Sequence, residues 1–394
     1  MHFKFPTSVM KNYCQMKICH LLPGLIVGGA ERVAIDLANA AAAVGHDVTL
    51  LLVFPVDKGP LEARISPRVT IRYMTESRRG RWYRYLASLF WIVRNWPWVT
   101  ANDVLHCHLT QPAILGSLVW IMKRIMGGAH TVVVETYHAV GMPIPFWHRW
   151  GHQFLARWRD AFILMAEDKH WYEFSRPNQS LLVKTIPNGV SVGNKEVSAQ
   201  EIELYRLSAS IPPSCQMVVG NVGQFRPDRK PHLIAEIFIK IAQRTNDDVH
   251  FLLVGDGVEL EAVRATIKSF GLDARIHTPG LALQPLLPMS LMDLYVVPNI
   301  GPITGVAGLE AALIGIPLIA LQWDATYTCT ANDWIWSHHD KEKIVSRAVE
   351  LLEDKMQRAE LAARQQSHAK LKFSVDAMFE AYMGVYQQAI ERAG

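Results

Sequence analysis

Cysteine is scarce in this sequence of 394 residues: there are five, an odd number, and none forms a Cys-x-x-Cys pair. Such sparse thiols exclude a disulfide-stabilised secreted scaffold and favour a reduced, cytoplasmic protein. The sequence also lacks a large net charge: the value is only +4, and 50% of the residues are hydrophobic. A low net charge and a high hydrophobic content together exclude an intrinsically disordered chain. A chain of this length is expected to fold as two domains, because single hydrophobic cores rarely exceed about 250–300 residues.

Long apolar runs are absent as well. The best candidate for a membrane span, residues 82–99, contains Arg84 and Arg94 and is too polar to cross a bilayer. The first fifteen residues lack the apolar core of a secretory signal. We interpret residues 1–15 as a leader, either a disordered extension or the product of a misassigned start, and begin the first domain at Met16.

The small net charge hides two halves of opposite sign. Residues 1–190 contain 21 Lys and Arg against 12 Asp and Glu, whereas residues 191–394 contain 19 against 24. Nine of the twelve tryptophans also lie in the first half. Basic and aromatic residues together are typical of a nucleic-acid-binding face or of a membrane interface. No nucleic-acid-binding module is recognisable and the acidic half would repel phosphate, so we expect no nucleic-acid partner.

Two segments concentrate this aromatic and basic composition, residues 78–98 and residues 145–159. Helices that lie in a membrane interface use arginine for anionic headgroups and Trp or Tyr at the acyl boundary. We therefore predict that the first domain docks peripherally, through both segments, on the inner face of the plasma membrane. The alternative is that these tryptophans are ordinary core residues with an arginine rim.

Short apolar runs alternate with helix-length segments along the chain, which is typical of parallel sheets covered by helices on both faces. The runs show little polar alternation, as expected of strands buried on both sides. The pattern restarts after a polar segment between residues 187 and 213. We predict an α/β protein with two Rossmann-like, doubly wound parallel-sheet domains, residues 16–205 and 206–373, facing a central cleft. A closing helix over residues 374–394 is expected to pack back on the first domain.

Three turns follow predicted strands, where doubly wound sheets bind their ligands. Gly28 and Gly29 open the first helix, but the full G-x-G-x-x-G fingerprint is absent and a tight structural turn explains them equally well. Residues 223–230 directly follow a predicted strand and contain three cations, Arg226, Arg229 and Lys230. By itself this pattern favours an exposed basic loop over a diphosphate site. The amides of Gly305–Ala307 open a later helix and are expected to bind an anion. Glu310 lies among apolar neighbours, where a carboxylate needs a bound partner such as a ribose diol.

In this order the segments resemble the retaining, nucleotide-sugar-dependent glycosyltransferases of family 4, which have the GT-B fold. The resemblance covers nearly the whole chain from about Met16. It rests on seven motifs: GGAER at 28–32, DVLHCH at 103–108, TYH at 136–138, IPNGV at 186–190, FRPDRK at 225–230, VGDG at 254–257 and GLEAALIGIPLIA at 308–320.

The resemblance implies a role for residues in these motifs. Lys230 is the cation on the donor diphosphate, Glu310 holds the ribose, and His138 faces the reacting sugar. Arg226 is the nearest substitute for the arginine that the family has where this sequence has Gln224. The implied catalytic residues are His138, Arg226, Lys230 and Glu310. The implied donor-binding residues are Gly28, Gly29, Gly223, Thr304, Gly305, Val306, Ala307 and Glu310.

The family uses no cofactor and no bound metal, because basic side chains and a helix N-terminus stabilise the departing nucleoside diphosphate. The pair His106-x-His108 lies within a predicted strand, and we interpret it as structural. The family's first acidic residue, which contacts the donor sugar, is replaced here by Pro302. Recognition of the sugar is therefore expected from Thr304 or from backbone groups.

Together these inferences predict a retaining, metal-independent glycosyltransferase. It would move a sugar from a nucleoside diphosphate, expected to be UDP, to a hydroxyl of a glycan or polyisoprenyl-linked acceptor in polysaccharide or glycoconjugate biosynthesis. The expected mechanism is a front-face displacement in which the departing phosphate takes the acceptor's proton. A nucleotide-sugar epimerase on the same scaffold is one alternative, and a catalytically inactive binding protein, suggested by Pro302 and Gln224, is another.

Overall fold

The computed structural model describes residues 14–26, 28–55, 61–76, 80–127, 130–138, 146–166, 181–192, 197–300, 305–322 and 334–393. The chain separates into two compact units. One is made of Met1–Gly189 with Val375–Gly394, and the other of Val190–Ser374.

Each unit is built on a sheet of parallel strands. Among the described residues, the first sheet has seven strands in the order β3-β2-β1-β4-β5-β6-β7 and the second has six in the order β10-β9-β8-β11-β12-β13. The strands of the first sheet are β1 (Lys17–Leu22), β2 (Asp47–Leu52), β3 (Thr70–Tyr73), β4 (Val104–His108), β5 (Val132–Tyr137), β6 (Ala161–Leu164) and β7 (Leu182–Thr185). Those of the second are β8 (Met217–Val222), β9 (Val249–Val254), β10 (Ile276–Gly280), β11 (Leu294–Ile300), β12 (Leu318–Gln322) and β13 (Trp336–His338).

Helices connect the strands. They are α1 (Gly29–Ala43), α2 (Arg81–Arg94), α3 (Trp96–Thr100), α4 (Thr110–Met126), α5 (Phe146–Leu155), α6 (Ala199–Ser208), α7 (Pro231–Ala242), α8 (Leu260–Ser269), α9 (Leu286–Met289), α10 (Val306–Leu313), α11 (Lys341–Glu353), α12 (Lys355–Phe373) and α13 (Val375–Ala393). Short 3-10 turns occupy Glu62–Arg64, Ala156–Trp158 and Pro227–Arg229. None of the helices that the structure describes combines the length and the apolar composition needed to span a bilayer.

The first sheet is buried on both faces because its strands carry apolar residues on both sides. In β1, Ile18 and Leu22 face a core shared with α1 and α13. Cys19 and Leu21 face the opposite core, which is formed with α2, α3 and α4. The last helix of the chain, α13, therefore packs against α1 and β5 and completes the first unit.

The second sheet is covered in the same way. α7, α8 and α11 pack on one face, around Phe238, Phe251 and Val296. α6, α9, α10 and α12 contribute to the core on the other face, around Leu252 and Tyr295. The predicted fold class, two Rossmann-like domains with parallel sheets, is confirmed.

The boundary between the units lies earlier than the sequence predicted. The prediction set it between residues 205 and 206, but the amide of Val190 donates to the carbonyl of Phe373 at 2.9 Å, inside the second unit. The polar segment that follows forms α6, whose first turn has a capping box between Ser198 and Glu201. Because α6 packs against α9, the segment belongs to the second unit.

Candidate active site

Glycines shape the carboxyl edge of the second sheet. β8 and β9 are neighbouring parallel strands, so Gly223 after β8 and Gly255 after β9 lie at the same edge. Gly255 and Gly257 have φ of +148° and +150°, and a Cβ on either residue would collide with the backbone of Gly223 or Phe225. Phe225 itself is buried. These close contacts fix the loop that follows β8.

The loop after β8 carries the predicted cations on the surface. Arg226 is exposed, and its Nε donates to Asp228 Oδ1 at 3.0 Å. Arg229 lies 3.6 Å from the other oxygen of Asp228. Lys230 adopts the left-handed conformation (φ 50°, ψ 53°) and caps α7, which begins at Pro231. Two of the three cations thus share one carboxylate, while Lys230 stands at a helix N-terminus.

The N-terminus of α10 is the predicted anion site. Gly305 is its N-cap and offers no side chain to cap the first turn, so the amides of Val306 and Ala307 point out of the helix end. The preceding Thr304, and Pro302, lie outside the described residues.

Glu310 lies one turn further into α10, and its side chain is only 3% exposed. Burial raises the pKa of the neighbouring Tyr295, and the charge of Glu310 raises it further. The Tyr295 hydroxyl donates to the carbonyl of Val222 at 3.0 Å. Val222 is the last residue of β8, and the loop that follows begins at Gly223. The structure therefore brings Glu310, the Gly223 loop and the start of α10 to one edge of the second sheet.

In the first unit, α1 follows β1 in the sequence; Gly28 is its N-cap residue and Gly29 its first residue. The buried carboxylate of Glu31 folds back so closely that a Cβ on Gly28 would collide with its Oε2. Burial raises the pKa of Glu31, against the opposing effect of its own backbone amide. The resemblance implies that this turn lies under the donor phosphates and the acceptor. An ionised carboxylate here repels a second anion, so the turn suits a hydroxyl-bearing acceptor better than a phosphate.

His138 follows β5 at the carboxyl edge of the first sheet and belongs to a row of histidines. Its Nε2 lies 3.1 Å from Nδ1 of His108, the last residue of β4. The Nε2 of His108 lies 3.1 Å from Nδ1 of His20, on β1. His138 is partly buried, whereas His108 and His20 are fully buried.

A fourth histidine, His106, sits beside this row on the same face of β4. Its Nδ1 lies 2.7 Å from the hydroxyl of Tyr386, and its Nε2 lies 2.8 Å from Thr136 Oγ1. His20, His106 and His108 each place one ring nitrogen within 4.8 Å of the others, a spacing that can hold a metal ion. The interpretation of His106-x-His108 as a structural pair stays a prediction. Two residues that are two positions apart on a strand lie on one face, but the link from His108 to His20 and His138 appears only in three dimensions.

Burial keeps these imidazoles neutral. Loss of solvent lowers the pKa of His20 to about 3 and that of His138 to about 4, where the charge of Glu135 opposes the shift. The pKa values of His106 and His108 are held well below the ordinary value, by burial first and then by the neighbouring histidines. At neutral pH, His138 is therefore a neutral hydrogen-bonding group.

A buried ion cluster lies behind His138. The carboxylate of Glu135 accepts from Arg159 Nε at 3.0 Å and lies 2.7 Å from His152 Nδ1. Arg159 has no exposed side chain and also donates to Ser117 Oγ at 2.7 Å. The prediction that residues 145–159 supply surface arginines is therefore wrong for Arg159, because Glu135 and the carbonyls around it hold its guanidinium inside the unit.

The other helix predicted for the membrane, α2, exposes an apolar face. Its exposed residues Trp82, Leu86, Phe90 and Val93 are spaced as one helical face, and they are 75%, 67%, 69% and 61% exposed. Ser88 and Ile92 lie on the opposite, buried side. The helix α5, which like α2 contacts α4, exposes Trp150 and Phe154. Arg157, in the 3-10 turn that follows α5, is also exposed, and its guanidinium lies 5.2 Å from the Phe154 ring centre.

Two family profiles match the chain. Residues 27–192 match the profile described as Glycosyltransferase Family 4, and residues 216–354 match the one described as Glycosyl transferases group 1. Between them the two matches cover most of the chain. Among curated proteins, none matches the sequence significantly.

Solved structures share the fold over nearly their full length. HepE from Anabaena, in complex with UDP and glucose, is 18% identical with a TM-score of 0.74, covering 95% of this chain and 100% of its own. A glycosyltransferase from Rickettsia africae is 15% identical with a TM-score of 0.72, covering 96% and 100%. Sucrose-phosphate synthase from Thermosynechococcus elongatus is 16% identical with a TM-score of 0.68, covering 95% and 99%. At these identities, the likeness is one of fold.

Proposed function

Because the chain belongs to the family 4 glycosyltransferases of the GT-B fold, we propose that it transfers a sugar from a UDP-sugar to a hydroxyl of a glycan or polyisoprenyl-linked acceptor, with retention of configuration. The observation that carries this proposal is the shared position of the Gly223 loop, the start of α10 and the buried Glu310 at one edge of the second sheet. Backbone amides at a helix N-terminus suit a diphosphate, and a carboxylate suits a ribose diol. The similar HepE structures contain UDP or UDP-glucose, which supports uridine as the base.

In the proposed mechanism, the bond between the anomeric carbon and the diphosphate oxygen breaks while the acceptor hydroxyl attacks from the same face. The hydroxyl proton passes to the departing phosphate oxygen, so no side chain has to act as a strong base. Lys230 and the N-terminus of α10 stabilise the charge that develops on the UDP. The neutral His138 orients an oxygen of the sugar through a hydrogen bond.

We assign the acceptor to the first unit and propose that the reaction needs no metal. A hydroxyl-bearing acceptor fits the turn at Gly28 and Gly29 better than a phosphate does, because the Glu31 carboxylate lies over Gly28. A cationic side chain and a helix end can together stabilise a leaving diphosphate as a metal ion does elsewhere.

We further propose that the protein works as a peripheral protein at the inner face of the plasma membrane. The support is the exposed apolar face of α2, together with the exposed aromatic residues of α5 and the exposed Arg157 in the turn that follows it. Single exposed apolar residues are common, but a contiguous apolar helix face marks an interaction surface. A polyisoprenyl-linked acceptor resides at such a surface.

The test is a screen of the purified protein against nucleotide sugars in the presence of EDTA. UDP is expected to raise the melting temperature in a concentration-dependent manner, and one UDP-sugar should be hydrolysed slowly and transferred faster once a glycan acceptor is added. The anomeric configuration of the product, read by NMR, tests retention.

Three results of this screen would contradict the proposal. Interconversion of sugar epimers without an acceptor would indicate the epimerase alternative. Absence of a thermal shift with every nucleoside diphosphate would remove the donor site. Activity that disappears in EDTA and returns with Mg²⁺ would overturn the metal independence.

A further inference from the structure

The row His138, His108 and His20 is directional, because each neutral imidazole has one N–H and one bare nitrogen. His108 uses both ring nitrogens within the row, Nδ1 toward His138 and Nε2 toward His20. It must therefore donate to one neighbour and accept from the other. The proton on His108 fixes the direction of the whole row, so only two arrangements of protons are possible.

The buried end of the row distinguishes the two arrangements. The Nε2 of His20 is buried and has no hydrogen-bond partner among the described residues. If the row donated inward, His20 would carry its proton on this nitrogen, and a buried N–H without an acceptor is a rare and costly feature of folded proteins. If the row donates outward, His20 keeps its proton on Nδ1 and leaves only a bare nitrogen unpartnered. The outward direction is therefore favoured.

We propose that His20 and His108 are positioning residues that hold His138 in the Nδ1–H tautomer. His20 donates to Nε2 of His108, which donates from Nδ1 to Nε2 of His138, so the remaining proton of His138 resides on Nδ1. This nitrogen forms no hydrogen bond with any residue that the structure describes. His138 then offers an N–H donor to a sugar or phosphate oxygen. This role rests on the proposed function, whereas the assignment of the tautomer does not.

A metal ion is the competing use of these nitrogens. His106, one of the three residues with suitable spacing, already uses both ring nitrogens in contacts with Tyr386 and Thr136. Binding an ion would break one of these contacts of His106 and one hydrogen bond of His108, whose two ring nitrogens are also both used. The hydrogen-bonded row needs neither change, and it is the arrangement that we propose.

The direct test is NMR of the full-length protein labelled with ¹⁵N in the histidine rings. His138→Gln identifies the His138 signals by their loss, and in the wild type we expect a proton on Nδ1 and a bare Nε2. A wild-type His138 protonated on Nε2 would overturn the proposal, whether or not the protein transfers sugar.

Two substitutions of His20 separate positioning from simple packing. His20→Phe removes the donor that starts the row, so His138 should become a mixture of tautomers and kcat should fall about fivefold, because only part of the population is competent. The KM for the donor should stay unchanged. His20→Asn keeps an amide donor near the position of Nδ1 and should retain both the wild-type His138 signals and kcat.

The matched control is His277→Phe, which disrupts a buried histidine pair in the second unit. In this pair, His250 Nδ1 lies 2.9 Å from His277 Nε2. It should leave the His138 signals and kcat as in the wild type. Equal losses of kcat in His20→Phe and His20→Asn would overturn the positioning role. So would one equivalent of zinc that is present in the purified wild type and lost in His20→Phe.

Discussion

The hydroxyl of Tyr386 lies 2.7 Å from Nδ1 of His106, although 280 positions separate the two residues in the chain. Tyr386 is on α13, and a second tyrosine of that helix, Tyr382, lies 2.9 Å from Thr136 Oγ1. Thr136 in turn contacts Nε2 of His106. The C-terminal helix is thus hydrogen-bonded to the strands that carry the histidine row.

Removing the Tyr386 hydroxyl is expected to destabilise the first unit. Tyr386→Phe leaves a buried ring nitrogen of His106 without its partner, which costs about 1–3 kcal/mol of unfolding free energy. Urea unfolding followed by tryptophan fluorescence measures this loss. The exposed Gln388 on the same helix provides the control, since Gln388→Ala should change stability by less than about 0.5 kcal/mol. Equal effects of the two substitutions would mean that the contact does not hold the helix.

The donor site predicts a loss of activity without a loss of folding. Lys230→Ala removes the cation at the start of α7, and Glu310→Gln replaces the buried carboxylate by an amide of the same shape. Each should lower kcat/KM about 100-fold, the usual effect of removing one group that stabilises transition-state charge. The melting temperature should stay near that of the wild type.

The control for the donor site is Lys268→Ala, an exposed lysine on α8 of the same unit, which should retain full activity. Wild-type turnover in both Lys230→Ala and Glu310→Gln would refute the site.

Much of the fold could be predicted from the sequence, because strands of a parallel sheet are apolar on both faces and read as short apolar runs. The boundary could not, since α6 is a polar surface helix and looks like a linker until its contact with α9 is seen. The histidine row was missed for a different reason. His106 and His108 show their shared face in the spacing, but the partners of His108 are distant in the sequence: His20 lies on β1 and His138 follows β5.

Arg157 and Arg159 show how burial divides residues that look alike in the sequence. Arg159→Met should destabilise the first unit by about 3–5 kcal/mol, because it leaves the buried Glu135 carboxylate without its cation. Arg157→Met, at an exposed position on the same segment, should change stability by less than about 0.5 kcal/mol. Thermal and urea unfolding of the two variants decide this. Similar losses in both would mean that Glu135 does not depend on Arg159.

The apolar face of α2 predicts binding to anionic vesicles. The double substitution Leu86→Ser with Phe90→Ser removes two exposed side chains, each worth about 1.5–3 kcal/mol when buried in the interface, and should weaken binding at least about tenfold. Sedimentation with vesicles of phosphatidylglycerol and phosphatidylcholine measures it. Leu204→Ser with Leu207→Ser, at two leucines of α6 that are each 60% exposed, is the matched control and should bind as the wild type does. Vesicle binding that survives the α2 substitutions would exclude this face.

The buried histidines predict that stability is lost as the pH falls from about 6.5 to about 4. Burial lowers the pKa of His20 to about 3 and of His138 and His277 to about 4, whereas the unfolded chain titrates near 6.5. In this window the unfolded state binds more protons than the native state, so the free energy of unfolding rises with pH. Each such group contributes a slope of up to about 1.4 kcal/mol per pH unit. Urea unfolding at several pH values should therefore give a shallower slope for His20→Phe than for the wild type, since one titrating group is gone. Parallel curves for the two proteins would mean that His20 takes up a proton in the native state as readily as in the unfolded one.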